Sequence, residues 1–406
     1  MNKNDKTALP QIRFQKFIDL PLWSIKKFGK IIIPVEERAG TKKYTLMSVT
    51  SGVGLVSQIE KFGREIAGSS YKNYYVIKKN DFAYNKSATK QFPEGYISML
   101  TEYDEVALPN SIFTCFRIVD NDCEPRFFDY LFHNNYHGLW LRRYIEVGAR
   151  AHGSLSIDIQ HLWNMPIALP KLEEQQKIAD CLSSLDGLIN AENEKLDYLK
   201  VHKKSLMKKL FPTEGKATPD LRFPEFLAAI DWRQVLLCEI CKITTGKLDA
   251  NAMVKKGKYR FYTCAKEYYQ IDKYAFDTEA LLISGNGANV GYIHYYKGKF
   301  NAYQRTYVLD CFQENIHYIK CFLDKNLLSR VQNEKNVGNT PYIVLGTLAE
   351  MKILLPKGPK EQQKIADCLS SLDDLITAQA EKIEMLKLHK KGLMQGVFPS
   401  VMEVSK

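Results

Sequence analysis

EQQKIADCLSSLD stands at Glu174–Asp186 and again, letter for letter, at Glu361–Asp373, 187 positions later. Carried forward, the identity becomes two 39-residue segments, EQQKIADCLSSLDGLINAENEKLDYLKVHKKSLMKKLFP and EQQKIADCLSSLDDLITAQAEKIEMLKLHKKGLMQGVFP, which agree at 27 positions. Apolar residues in the first copy step by four and three: Ile178, Leu182, Leu185, Ile189, then Leu196 and Leu199, then Leu206 and Leu210. The second copy repeats them as Ile365, Leu369, Leu372, Ile376, then Ile383 and Leu386, then Leu393 and Val397. This heptad spacing predicts a single apolar seam along each of two long helices. Polar residues interrupt both seams at matching places, Glu192 or Gln379 and Lys203 or Lys390.

A helix of about 37 residues is roughly 55 Å long, too long and too one-sided to be buried alone in a globular domain. Each helix therefore needs a partner, and the nearest is its own copy, which implies an intramolecular coiled coil. The heptads leave its direction open. The 144 residues from Thr213 to Pro356 would allow either direction. The antiparallel arrangement is favoured because a pseudo-twofold relation makes the two halves equivalent; pairing of each helix with another chain is the alternative.

The segments before the helices are related more faintly. Proline-closed apolar stretches precede both, MPIALP ending at Pro170 and MKILLP ending at Pro356. PQIRFQKF (Pro10–Phe17) matches PDLRFPEF (Pro219–Phe226), each followed by a tryptophan, Trp23 or Trp232. The interiors diverge. They carry short apolar and aromatic runs, YKNYYVI, SIFTCFRIV, EALLIS, GYIHYY and TYVLDCF, punctuated by Gly, Asn and Lys, which read as strands. RFFDYLFHNNYHGLWLRRYI and IHYIKCFLDKNLLSRVQ read as short helices. The expected architecture is α+β: a mixed α/β domain over residues 1–170, a long helix over 171–212, a second mixed domain over 213–356, and a second long helix with a tail over 357–406.

Length and composition agree with this division. A chain of 406 residues favours two or three domains, and 45% hydrophobic, 12% aromatic and 25% charged residues suit a folded protein. No apolar run approaches the roughly 18 residues of a membrane span, and MNKNDKTALP lacks the apolar core of a secretory signal, so a cytoplasmic protein with no membrane association is expected. Nine cysteines at 115, 123, 181, 238, 241, 264, 311, 321 and 368 show no framework spacing, which suits reduced thiols. Cys238 and Cys241 form a lone CxxC in QVLLCEICKI; the flanks read as a buried strand, which favours core packing over a metal half-site. His133 and His137 lie one helical turn apart with no third ligand in view. Net charge is +11, with basic pairs spread along the chain, which suits a polyanion partner or a solvated basic surface.

With these features together, the chain resembles the specificity subunit of a type I restriction-modification system. The resemblance rests on the Leu-Pro and EQQKIA start of each helix, Leu169 to Ala179 and, with one extra residue, Leu355 to Ala366, and on the KKxLMxxxF close at Lys203–Phe211 and Lys390–Phe398. It covers nearly the whole chain. It implies a subunit without catalysis of its own, in which two target recognition domains each read half of a split target in double-stranded DNA. It further implies helices that set the unread gap and dock two modification subunits, which methylate adenine with S-adenosylmethionine, and an assembly that recruits restriction subunits using ATP and magnesium. No cofactor is expected in this chain. The residues agree: no [DN]PP[FYW] tetrad, GxxxxGK[ST] loop, HExxH pair or G-x-S-x-G elbow occurs. SGNGANVG (Ser284–Gly291) lacks GxGxxG spacing and reads as a turn.

Base readout needs paired donors and acceptors on loops held by a rigid scaffold, with Lys, Arg and hydroxyl side chains for phosphates. In the first domain the candidates are YNKSATK, with Tyr84, Asn85, Lys86, Ser87 and Lys90, and GARAHGS, with Arg150, His152 and Ser154. In the second they are Lys266 in YTCAKEYY, Asn286 and Asn289 in SGNGANVG, Tyr303, Gln304 and Arg305 in NAYQRTY, and Lys335 and Asn336 in NEKNVGNT. Lys203, Lys204, Lys390 and Lys391 suit the helix C-termini and are further candidates for phosphate or partner contact. The alternative from another class is a coiled-coil scaffold that joins two proteins and binds no nucleic acid; its binding would be insensitive to salt, whereas DNA affinity falls steeply with salt.

Overall fold

The structure is a computed structural model that describes residues 7–67, 70–145, 155, 157–213, 215–229, 231–334, 342–400 and 404. Chain contacts divide it into two compact units, Met1–Glu192 with Lys382–Lys406, and Asn193–Glu381. The first long helix is Leu172–Leu210 and the second is Pro359–Val397, 39 residues each, so both helices contribute to both units. Pro359 opens the second helix at a position where its missing N–H has no intrahelical partner to lose.

In the first unit, strand Trp23–Lys27 is paired antiparallel with Thr7–Ala8 on one side and Pro166–Leu169 on the other. A four-stranded antiparallel sheet runs in the order Ile32–Pro34, Phe113–Ile118, Phe82–Asn85, Tyr96–Met99. Helices Pro125–His133 and Tyr136–Leu141 cover it. The core is aromatic, with Trp23, Phe28, Phe82, Phe116, Phe127, Phe128 and Phe132 fully buried. Ile178, Ala179 and Leu182 from the start of the first long helix join this core, as do Met394, Val397 and Phe398 from the end of the second.

The second unit repeats the frame around a different sheet. Arg233–Leu236 pairs antiparallel with Lys352–Leu355, as Trp23–Lys27 pairs with Pro166–Leu169. A six-stranded sheet runs in the order Lys242–Thr245, Thr306–Asp310, Phe276–Ser284, Ile293–Ala302, Tyr259–Tyr262, Tyr269–Ile271, with one parallel pairing, Tyr259–Tyr262 with Ile293–Ala302. Helix Ile316–Asn333 packs on one face, in a core that takes Leu210 and Phe211 from the end of the first long helix and Ile365, Ala366 and Leu369 from the start of the second. One expectation is corrected here. QVLLCEICKI is not one strand: strand Arg233–Leu236 gives way to a short helix, Leu237–Ile240, before strand Lys242–Thr245. Leu237 and Ile240, three apart, both turn into the core, which a strand period of two would not allow.

The sixteen seam residues are all buried or half-buried, as the heptads require. The helices run antiparallel within each unit. In the first, Lys390 bonds both carboxylate oxygens of Asp186 at 2.5 and 2.6 Å, and Lys382 pairs with Glu192, so one helix ascends as the other descends. In the second, Lys203 bonds Asp373 at 2.5 and 2.6 Å while Leu206 and Leu210 share a core with Ile365 and Leu369. The seam lysines thus meet the aspartate that closes the repeated EQQKIADCLSSLD, a polar lock of the kind that fixes register.

The opening of that motif is explained in the same way. In the first unit Arg13 of PQIRFQKF forms a two-pronged ion pair with Glu174, both bonds 2.8 Å, and donates to the carbonyls of Leu20 and Pro21. Gln175 accepts from the Glu124 N–H and donates to the carbonyls of Asp122 and Pro170, all at 2.9 Å. In the second unit Arg222 of PDLRFPEF grips Glu361 at 2.7 and 2.8 Å, and Gln362 accepts from the Asn315 N–H and donates to Glu314 and the Pro356 carbonyl. Glu174, Gln175, Glu361 and Gln362 are all at most 2% exposed. Buried polar groups persist only when fully paired, and these four tie each globule to a helix start.

Candidate nucleic-acid interface

In the second unit the central hairpin, Phe276–Ser284 with Ile293–Ala302, and the returning strand Thr306–Asp310 leave their turns at one end of the sheet. Gly285 donates its N–H to the Arg305 carbonyl at 2.8 Å, and Ile343 donates to the Gly285 carbonyl at 2.7 Å. Asn289 Nδ2 donates to the Cys264 carbonyl at 3.0 Å, and Cys264 Sγ to the Arg305 carbonyl at 3.4 Å. Tyr303 N–H donates to the Tyr262 carbonyl and Gln304 N–H to the Leu248 carbonyl, both at 2.9 Å. The candidates Lys266, Asn286, Asn289, Tyr303, Gln304 and Arg305, spread over forty positions of sequence, therefore stand on one cluster of mutually bonded turns. Lys266, Gln304 and Arg305 are exposed, and Asn286, Asn289 and Tyr303 are half-buried. A cavity of about 290 Å³ lies against Gly285, Gln304, Arg305, Tyr307 and Ile343.

The neighbouring chemistry is cationic and aromatic. The Arg260 guanidinium lies 4.3 Å from the Tyr268 ring centre and 4.5 Å from that of Tyr296, and its bond to the Tyr262 hydroxyl holds its pKa above the ordinary value. His294 Nε2 donates to the Ala265 carbonyl, and burial holds its pKa down, so the ring is neutral near pH 7.

In the first unit, strand Phe82–Asn85 runs into the segment that holds Lys86, Ser87 and Lys90. Lys90 is exposed, Lys86 and Ser87 are half-buried, and the Lys86 carbonyl accepts from Leu155 N–H at 2.9 Å. Tyr84 and Asn85 are corrected: both are buried, and neither side chain is available to a ligand. The Tyr84 hydroxyl donates to the Glu94 carbonyl at 2.8 Å, and burial raises its pKa. Asn85 Nδ2 donates to the Val49 carbonyl at 3.0 Å while Oδ1 accepts from Ser87 N–H, which fixes the turn that presents Ser87. Arg150, His152, Ser154, Lys335 and Asn336 lie outside the described residues.

Two further features of the sequence are resolved. Cys238 is exposed, whereas Cys241 is buried with Sγ bonded to the Leu237 carbonyl, and no metal-holding group of His, Cys, Asp or Glu occurs among the described residues. His137 is buried between Tyr84 and Phe132, and burial pushes its pKa down to about 4. His133 stacks on Tyr96 instead and faces Asp129.

Two diverged globules on a repeated frame, each with loops held for display, match a known pattern. A family model described as the type I restriction modification DNA specificity domain matches residues 39–201 and again residues 229–388. The chain belongs to this family. Its relatives include the type I restriction enzyme EcoDI specificity subunit of Escherichia coli, 38% identical over 174 residues, which are 43% of this chain and 38% of that protein. The MjaVIII specificity subunit of Methanocaldococcus jannaschii is 28% identical over 271 residues, 59% of this chain and 62% of that one. The chain thus spans less than two-thirds of either relative. Among solved structures, the type I restriction-modification S subunit of M. genitalium superposes with a TM-score of 0.60 at 16% identity, covering 97% of this chain and 99% of that one. A chain from a study of the assembly and conformational transition of the type I restriction-modification system gives 0.58 at 18%, covering 93% and 98%. These likenesses show a shared fold over 97% and 93% of the chain.

One exposed cation beside these turns was not among the candidates read from the sequence. Lys247, in TTGKLDAN, is exposed, and its neighbours on either side are bonded to the Tyr303–Thr306 turn. Nothing local marks it, because the contact is made across more than fifty residues. Among the described residues no helix is long and apolar enough to cross a membrane.

Proposed function

We propose that this chain is the DNA-sequence specificity subunit of a type I restriction-modification complex. Each globule reads one half of a bipartite target in double-stranded DNA, and the two shared helices set the unread interval. The carrying observation is the contrast between frame and loops. The clamps Arg13–Glu174 and Arg222–Glu361 and the locks Lys390–Asp186 and Lys203–Asp373 recur, whereas the sheets and display loops that they support differ. A repeated mount with unlike faces suits reading two unlike sequences.

The chain has no catalytic role of its own in this reading; modification subunits supply adenine methylation with S-adenosylmethionine, and restriction subunits supply ATP- and magnesium-dependent cleavage. A repeated set of exposed apolar positions supports docking of two like partners. Ile12 and Leu221, Ile18 and Leu227, Leu188 and Leu375, Tyr198 and Met385, and Val201 and Leu388 are equivalent pairs, each residue at least 41% exposed. Equivalent exposed positions elsewhere on the helices drift freely, as Gly187 to Asp374 and Lys208 to Gln395. Single exposed apolar residues are ordinary, but the same ones kept apolar in both copies fit two equivalent contact faces.

The test is binding of the full chain to a pool of random duplexes over a range of salt. Enrichment of two short specified blocks at a fixed separation, with affinity falling steeply as salt rises, is expected. Partner binding without salt-dependent DNA binding would support the scaffold alternative instead.

A further inference from the structure

In the second unit, two turns are pressed together by glycines. A Cβ on Gly246 would lie 1.9 Å from the Ala302 carbonyl oxygen, and one on Gly285 would lie 2.4 Å from that of Arg305, so no other residue fits at either place without a backbone shift. Gly246 N–H donates to the Thr306 carbonyl at 3.2 Å, Gln304 N–H to Leu248 at 2.9 Å, and Thr306 N–H closes the turn on Tyr303 at 2.8 Å. The Arg305 carbonyl accepts from both Gly285 and Cys264. The backbone under Lys247, Gln304 and Arg305 is therefore held on both sides.

Their side chains are not committed. Among the described arginines, Arg13, Arg117, Arg126, Arg142, Arg222, Arg233 and Arg330 pair with carboxylates. Arg38, Arg143 and Arg260 lie against aromatic rings. Arg64 and Arg305 have neither kind of partner; Arg305 is exposed and stands on a turn whose backbone is bonded on both sides. A guanidinium offers a rigid fork that matches the two acceptors on a guanine edge, while an ammonium acts as a point charge for phosphate.

We propose that these two turns form a preset base-reading tip, in which Arg305 reads a guanine in the half-site of the second globule and Lys247 grips the phosphate beside it. This rests on the functional reading above and adds the base class and the division of labour. The turns bring a fork and a point charge together on backbone that needs no ordering when DNA arrives, so the contact keeps its geometry from one target to the next.

The test uses the full chain and a duplex pool, with Arg305→Ala, Arg305→Lys and Lys247→Ala, each checked by thermal melting. Arg305→Ala is expected to lose about tenfold to a hundredfold preference for guanine at one position of one half-site, leaving the other half unchanged. Arg305→Lys keeps most of the affinity and loses the same preference. Lys247→Ala weakens all sequences alike and reduces the slope of log affinity against log salt by about 0.9. If the unaltered chain selects a bipartite target but Arg305→Ala weakens all sequences equally, or changes nothing, the tip assignment is overturned while the functional reading stands. If the unaltered chain shows no salt-dependent duplex binding, the functional reading itself fails.

Discussion

Replacing Glu174 by Gln tests the clamp that explains why EQQ recurs. The Arg13 and Glu174 side chains are 7% and 1% exposed, and Glu174 takes both prongs of the guanidinium together with the Trp23 indole N–H. Glutamine keeps the shape but leaves the Arg13 charge buried without a counter-charge. Breaking one partner of such a pair costs about 3–5 kcal/mol. For a folding unit of about two hundred residues this lowers Tm by about 6–20 °C. The control sits next door: Glu173 pairs with Lys16, but those side chains are 64% and 69% exposed, so Glu173→Gln should cost less than about 1 kcal/mol. Differential scanning calorimetry reads both, and Glu361→Gln should match Glu174→Gln, since Arg222 and Glu361 are 8% and 3% exposed. Equal small shifts for Glu173→Gln and Glu174→Gln would refute the argument that the buried clamp holds the globule to its helix.

Other consequences are open to measurement. His137 has its pKa held at about 4 by burial, against about 6.5 unfolded, so the unfolded chain binds the extra proton between those values. Stability of the first unit should therefore fall by about 3 kcal/mol as pH drops from 7 to 4, and His137→Leu should flatten that slope in denaturant titrations; an unchanged slope would count against a buried neutral imidazole. Tyr84→Phe removes one bond to the Glu94 carbonyl and should cost about 1 kcal/mol in stability with no change in DNA affinity. A loss of affinity in a folded variant would return Tyr84 to the interface. If two modification subunits dock as proposed, Leu388→Asp and Val201→Asp should each remove one of them in a stoichiometry measurement, and retention of both would rule out that face.

The long helices were legible because the heptad seam is a local periodicity, and all sixteen seam positions are buried or half-buried. Strands such as EALLIS and TYVLDCF were legible by another local signal, as short apolar runs bounded by turn residues. Tyr84 and Asn85 were misread because FAYN is covered on both faces, so polar letters at the strand end carry no mark of burial. The break in QVLLCEICKI was missed because a four-residue helix is too short to show a period. The partners of Arg13 and Arg222 are 161 and 139 residues away, and the repeat announced both arginines without saying what they hold. In the second unit the candidate loops were found one by one from composition. That they converge follows from strand order, with Tyr259–Tyr262 inserted parallel beside Ile293–Ala302, which no local pattern specifies.

The most direct test of two globules reading two halves is the genome-wide adenine methylation pattern of cells with and without this gene, in the presence of the proposed modification subunits. Loss of one motif made of two short specified blocks around a fixed unspecified interval is the expected result. A methylation pattern that does not change, or loss of a motif with no such interval, would contradict it.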